Sequence, residues 1–221
     1  MSAASRIVRT FVPTWIKNWR VYQTARHLVK SYDSIYDETY YDVDVEGPAL
    51  KSAGVMASSI VEHFRPTTVI DVGCGTGALL DAFKRLNCEV HGLEYSEAGR
   101  AYCKKRGIAV RKFNIEKDSL DDEQYDLAVS FEVAEHLPAS IANRYVGLLC
   151  KLSPLVVMSA ATRGQGGLDH INEQPHSYWI RKFDANRYSF DQDTSGKFSR
   201  TWKAAGATYW YYDNVMVFVR R

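Results

Sequence analysis

Residues 69–80 read Val69-Ile70-Asp71-Val72-Gly73-Cys74-Gly75-Thr76-Gly77-Ala78-Leu79-Leu80, and this stretch decides the fold. Thr68 to Val72 is an unalternating, mostly β-branched run, the pattern of a short parallel strand buried on both faces. Glycines follow at 73, 75 and 77, and Ala78-Leu79-Leu80-Asp81-Ala82-Phe83 then opens a helical pattern. Strand, glycine turn and helix start make half of a nucleotide-binding βαβ unit. One glycine permits the sharp turn, and the missing Cβ atoms let a ligand reach the backbone N–H groups at the helix start. Gly73-x-Gly75-x-x-Ala78 formally satisfies a dinucleotide pattern. Asp71, however, aims a carboxylate into the loop, which suits a cationic amine and repels a pyrophosphate.

The string Asp71-Val72-Gly73-Cys74-Gly75-Thr76-Gly77 resembles the DxGxGxG signature of class I S-adenosylmethionine-dependent methyltransferases, and the resemblance runs over about residues 49–221. It implies an α/β fold: a Rossmann-like, seven-stranded, mostly parallel sheet with the last strand antiparallel and helices on both faces. Residues 1–48 would form a helical N-terminal extension or lid, and 49–221 the methyltransferase domain. The implied cofactor is S-adenosylmethionine, held by Asp71, Gly73, Gly75 and Gly77. Glu94 ends a second strand roughly 20 residues after Asp71, where an acidic side chain accepts from both ribose hydroxyls. Asn114-Ile115 falls where the family reads adenine: Ile115 stacks on the ring and a polar neighbour meets its amine. Asn114 departs from the commoner Asp, with Asp118 as the alternative. Phe131 and Glu132, after the fourth strand, complete the expected cofactor contacts.

Composition sets the frame for this reading. With 221 residues, 46% apolar and 13% aromatic, the chain has ample material for a core, which excludes a disordered polypeptide. Four cysteines without CxxC spacing suggest reduced thiols in a cytoplasmic protein, with neither a disulfide framework nor a zinc cluster. No apolar run approaches the roughly 18 to 20 residues of a membrane span, and no signal-peptide core appears near Met1.

The net charge of +2 decides little, but residues 1–32 hold Arg6, Arg9, Lys17, Arg20, Arg26 and Lys30 and no acid. Phe11, Trp15, Trp19 and Tyr22 fall there at helical spacing. Such a basic amphipathic helix over residues 6–30 either lies on an anionic membrane surface or covers a substrate, or it packs its aromatic stripe on the domain or on a partner. Between Ser31 and Val45, Tyr32, Tyr36, Tyr40 and Tyr41 alternate with acids, as in a substrate lid or a half-buried packing layer.

Periodicity predicts a helix over Ala49–Phe64, stopped by Pro66, and strands at Glu89–Glu94, Ala109–Phe113, Tyr125–Phe131, Leu155–Ala160 and Tyr188–Phe190. The run Ala207–Val219, rich in β-formers, reads as the reversed hairpin strand that closes the sheet.

The second diagnostic string is Phe131-Glu132-Val133-Ala134-Glu135-His136-Leu137. A helix there would put Glu132, Glu135 and His136 on one face, a spacing that suits a divalent metal such as Mg²⁺ or Mn²⁺. The string resembles the ExxEH element of metal-assisted O-methyltransferases, the quinone-biosynthesis and small-RNA 2'-O-methylating enzymes. In the wider family a similar string occurs without metal, its histidine packing beside the site or acting as a base. The loop Ala161–Pro175 adds His170, either the general base or a fourth ligand to Glu132, Glu135 and His136. These residues point to O-methylation of a hydroxylated small metabolite or a sugar, with Glu135, His136 and His170 near the acceptor. The alternatives are a metal-dependent RNA 2'-O-methyltransferase, for which no recognisable RNA-binding motif speaks, and a membrane-surface or partner-binding protein with a vestigial cofactor site.

Overall fold

A computed structural model describes residues 32–221. The basic aromatic segment at 6–30, and with it any membrane or partner contact of Arg6, Arg9 and Trp15, lies outside the described residues. Short helical turns at Tyr32–Ile35 and Glu38–Tyr40 and a π-helical stretch, Tyr41–Val45, run into helix α1, Glu46–Phe64. Helix α1 begins ahead of the expected Ala49 because Pro48 is tolerated in a first turn, where its missing N–H has no partner to lose. It ends on Arg65 in a left-handed conformation, φ 52°, whose N–H reaches Val61 O at 2.9 Å.

The chain then alternates. Strand β1 (Thr68–Val72), helix α2 (Ala78–Arg85), β2 (Glu89–Glu94), α3 (Glu97–Lys105), β3 (Val110–Lys112), β4 (Leu127–Phe131), α4 (Ala142–Leu152) and β5 (Leu155–Ser159) follow in order. After a long loop come α5 (His176–Ala185), β6 (Tyr188–Phe190), α6 (Gln192–Ala204), α7 (Tyr209–Asn214) and β7 (Met216–Arg220). The strands form one sheet in the order β3-β2-β1-β4-β5-β7-β6. All neighbours pair in parallel except those of β7, which runs antiparallel between β5 and β6. The expected seven-stranded sheet with a reversed last strand is thus observed.

Alternation along β1 divides the core. Val69 faces α1, α2 and α6 through Met56, Ile60, Phe83, Phe198 and Trp202, while Ile70 and Val72 face α4 and α5 through Tyr145, Leu149, Trp179 and Phe183. Strand order reverses between β1 and β4, so the carboxyl ends of these strands flank a crevice, the place where open α/β sheets bind ligands.

The aromatic run from Ala207 behaves differently from expectation. Its pairing with β5 extends only from Met158↔Met216 to Leu155↔Val219, and Tyr209–Asn214 folds as helix α7. Pairing stops at Met158, one residue before β5 ends at Ser159. The turn before α7 is pinned instead to α1, with Thr208 N donating to Ser52 Oγ at 3.0 Å. Tyr209, Trp210 and Tyr211 are thereby delivered to the crevice. Among the described residues no helix is long and apolar enough to cross a membrane.

Candidate functional site

A cavity of about 370 Å³ opens at the carboxyl ends of β1, β2 and β4 and shares Gly73, Gly75, Phe131 and Tyr211 with a smaller pocket of about 70 Å³. The larger volume is of ligand size. Gly73 and Gly75 line both, because Gly73 N and Cys74 N donate to Leu93 O at 2.8 and 3.1 Å and so dock the loop on β2. Glu94 tightens that junction: Oε2 accepts Gly75 N and Oε1 accepts Ser96 N, both at 2.8 Å. Burial raises its carboxyl above the ordinary range against those donors. Asn114, Ile115 and Phe131 line the larger cavity. The Asn114 side chain accepts Glu116 N at 2.9 Å, while Asp118 braces the turn from outside by accepting Asn114 N at 2.8 Å.

Asp71 and Thr76 line the smaller pocket. Asp71 is 4% exposed, and burial, then the charge of Glu94, push its carboxyl up to about 8. Thr76 Oγ is buried without a hydrogen-bond partner. The smaller pocket thus has an unsatisfied hydroxyl and a carboxyl raised by burial among its lining. Gly77 has a different task from its neighbours: its φ is 75°, and a Cβ there would stand 2.8 Å from Cys103 Sγ. It packs α2 against α3 and lines neither cavity.

The other end of the cavity is built by the string after β4, which is not the helix expected. Glu132 takes a left-handed φ of 52°, and only Ala134–His136 makes a single 3₁₀ turn. Glu132 thereby leaves the helical face it would have shared with Glu135 and His136, while its carboxyl stays close enough to Glu135 for its charge to act there. Its Oε2 accepts Gln165 Nε2 at 2.7 Å and its Oε1 accepts Asn214 Nδ2 at 3.3 Å. The four-residue metal set contracts to Glu135, His136 and His170, whose donor atoms lie within 4.8 Å of one another. Glu135 is fully buried, neither carboxyl oxygen has a hydrogen-bond donor, and burial, then the charge of Glu132, push it well above the carboxylate range.

The loop 161–175 is pinned to this turn by Ile171 N and Asn172 N, which donate to Glu135 O at 2.9 and 3.0 Å. The His136 and His170 rings consequently meet edge to face at 4.9 Å. His136 Nδ1 contacts Asp169 O at 3.3 Å, and His170 Nδ1 contacts Glu173 Oε1 at 3.0 Å. A carbonyl and a carboxylate only accept, so both rings carry hydrogen on Nδ1, which puts the lone pair of each neutral ring on Nε2.

The segment 32–45 forms one wall. Tyr36, Tyr40, Tyr41 and Asp44 line the cavity. Tyr36 OH donates to Asp169 Oδ2 at 3.1 Å and Tyr36 O accepts from Ser96 Oγ at 2.8 Å, so the segment ties the cofactor end to the histidine end. The opposite wall is α7, which sequence reasoning missed as a site element. Asn214 anchors it by donating to Gln165 Oε1 at 2.7 Å. The signal was present in the consecutive aromatics Tyr209 to Tyr212, too many for a seven-stranded sheet to bury on its outer strands.

The sequence profile of a methyltransferase domain matches residues 54–204. The ubiquinone biosynthesis O-methyltransferase of Pseudomonas paraeruginosa is 30% identical over 123 residues, covering 50% of this chain and 47% of the relative. Its counterpart from Roseobacter denitrificans is 29% identical over 86 residues, covering 36% and 35%. The chain thus matches about half or less of the length of these curated relatives. Two solved structures share the fold. They are a magnesium protoporphyrin IX methyltransferase from Synechocystis with bound S-adenosylmethionine (15% identity, coverage 100% and 99%, TM-score 0.61) and a plantazolicin methyltransferase with S-adenosylhomocysteine (14%, 92% and 96%, TM-score 0.60).

Proposed function

The chain belongs to the methyltransferase-domain family, and from that premise we propose that it methylates a hydroxyl group of a small hydroxylated molecule with S-adenosylmethionine as the donor. The cavity divides to suit that cofactor. Asp71 and Thr76 at the small pocket would take its amino-acid end, Glu94 its ribose hydroxyls, and Asn114 with Ile115 its adenine. The cofactor supplies a methyl group made electrophilic by a sulfonium. The protein's part is to align a nucleophile and, for a hydroxyl, to remove its proton.

One observation carries the hydroxyl reading: His136 and His170 stand together at the cavity, their rings edge to face and Nδ1 of each set against a neighbouring acceptor. A base so placed is of use to an acceptor that must lose a proton. The segment 32–45 and helix α7 would close on that acceptor from two sides. The test is transfer of a labelled methyl group to a panel of hydroxylated acceptors by the wild type, His136→Ala and His170→Ala. Loss of turnover with intact cofactor binding supports the reading, and unchanged turnover in both variants removes it.

A second reading has its own observation, the buried Glu135 whose two oxygens lack donors. Glu135, His136 and His170 would hold a divalent cation, which would act as a Lewis acid on the acceptor oxygen. One carboxylate and two imidazoles suit Mn²⁺ better than Mg²⁺. The outward Nδ1–H bonds of both rings are the support that metal-bound histidines usually have.

A further inference from the structure

Glu173 contacts His170 without lining either cavity, and it gathers donors. Its Oε2 accepts Gly164 N at 2.9 Å, and its Oε1 accepts Gly166 N at 2.7 Å and His170 Nδ1 at 3.0 Å. The opposite flank of the ring is set by Gly167, where a Cβ would lie 2.3 Å from His170 Nε2 and 2.5 Å from Cε1. The imidazole therefore sits in a slot with a carboxylate on one edge and a bare backbone on the other. Only a tenth of its side chain is exposed.

We propose that Glu173 is a positioning residue that fixes both the pose of His170 and the nitrogen that carries its lone pair. The proposal rests on the methyl-transfer reading above and deepens it. An imidazole free to turn exchanges its two tautomers and flips its ring. In this slot a flip would aim a ring carbon at Glu173, and the other tautomer would set a lone pair against a carboxylate. The lone pair is thus confined to Nε2. In the reaction, the acceptor's proton goes to Nε2 while the O–H pair stays on oxygen. That pair forms the new O–C bond as the C–S pair leaves with sulfur, and the positive charge that began on sulfur ends on the His170 ring. The imidazolium then donates from both nitrogens, with Nδ1–H facing the Glu173 carboxylate.

The same carboxylate holds the Gly164–Gly167 turn, so shape and chemistry are linked through one side chain. Glu173→Ala frees the donors of Gly164, Gly166 and His170 together. Glu173→Asp keeps the charge on a shorter arm.

The deciding experiment is long-range ¹H–¹⁵N correlation of the histidine rings in the full-length, uniformly ¹⁵N-labelled protein. His170→Ala assigns the His170 signals. In the wild type we expect the neutral His170 ring with hydrogen on Nδ1 and none on Nε2. In Glu173→Ala we expect a mixture of tautomers, and in Glu173→Asp partial return to the wild-type pattern. A wild-type ring protonated on Nε2 overturns the proposal, as does a Glu173→Ala spectrum identical to the wild type. Should Glu173→Ala not fold, the wild type and Glu173→Asp decide, since an Nε2–H ring in the wild type, or a Glu173→Asp ring with no more Nε2–H than the wild type, contradicts it. Calorimetric titration with S-adenosylmethionine should be unchanged in Glu173→Asp, because Glu173 lies outside the cofactor cavities. With any acceptor found in the labelled-methyl screen, kcat of Glu173→Ala should fall about 10- to 100-fold with KM within about twofold; an unchanged kcat also overturns the proposal. Failure of the methyl-transfer reading would look different, as a wild type that labels no hydroxylated acceptor while its tautomer pattern stays as stated.

Discussion

Glu94 Oε2 accepts the backbone N–H of Gly75 at 2.8 Å, so the residue expected to hold the ribose also holds the glycine loop in place. Its other oxygen is occupied by Ser96 N at the same distance. Glu94→Gln preserves volume but turns one acceptor into a donor that faces an N–H. An unpaired buried donor costs about 1–3 kcal/mol. Cofactor affinity measured by calorimetry should therefore drop by about ten- to hundredfold, each factor of ten being about 1.4 kcal/mol. An unchanged Kd would show that Glu94 serves neither loop nor ribose.

Asp71 makes cofactor binding a proton-linked event. Its carboxyl is raised from 3.8 to about 8 by burial and then by Glu94, so at pH 7 it is mostly protonated in the free protein. A cationic amine placed beside it restores the charge. Titration at pH 7 in buffers of different ionisation enthalpy should report release of close to one proton per cofactor, and none in Asp71→Asn. For stability the sign is the reverse of a paired carboxylate. The folded value exceeds the unfolded one, so the stabilising contribution is complete below about pH 4 and is lost as pH rises through about 8. Urea midpoints of Asp71→Asn should accordingly exceed the wild type's increasingly between those values, while its cofactor binding weakens. A wild-type midpoint no lower than the variant's at pH 8 would contradict the buried neutral state.

Gly77 is a packing glycine, and that distinguishes it from Gly73 and Gly75. Gly77→Ala meets two costs: a left-handed φ of 75°, and a Cβ 2.8 Å from Cys103 Sγ. The strain amounts to about 1 kcal/mol and overpacking adds about 1–3 kcal/mol. Cys103→Ala in the same chain should recover the second part and leave the first, as thermal denaturation of the three variants would show. If the double variant is no more stable than Gly77→Ala, the clash with Cys103 is not what the glycine avoids.

The sequence made the buried strands and the glycine loop legible because each rests on a local pattern. Thr68–Val72 and Glu89–Glu94 have the residues observed, since apolar continuity needs no tertiary information to be read. Helix α7 was hidden because aromatic residues favour strands by propensity, whereas the bond from Thr208 to Ser52 ties the turn before this segment to α1. Glu132 was misassigned for a similar reason. Helical spacing with Glu135 and His136 is real in the sequence, but a left-handed residue breaks the face, and nothing local announces it. Glu173 was visible only as one polar residue among several in a long loop; its partners Gly164 and Gly166 became meaningful once the loop was folded.

The contraction of the metal set to three residues is itself testable. Glu132 is committed to Gln165 and Asn214, whereas both oxygens of the buried Glu135 lack donors, and one of them lies within 4.8 Å of a ring nitrogen of His136 and of His170. Titration with Mn²⁺ should raise the Tm of the full chain, and EDTA should reverse the rise. At a hundredfold excess over Kd the stabilisation is about 2.7 kcal/mol, which for a protein of this size corresponds to about 5–10 °C. Glu135→Gln and His136→Ala should abolish the shift and leave cofactor affinity intact. Glu132→Gln should retain it, because the amide can still meet Gln165 and Asn214 after reorientation. A shift lost in Glu132→Gln would restore the four-ligand arrangement, and no shift in the wild type would leave the two histidines to remove the acceptor's proton without a metal.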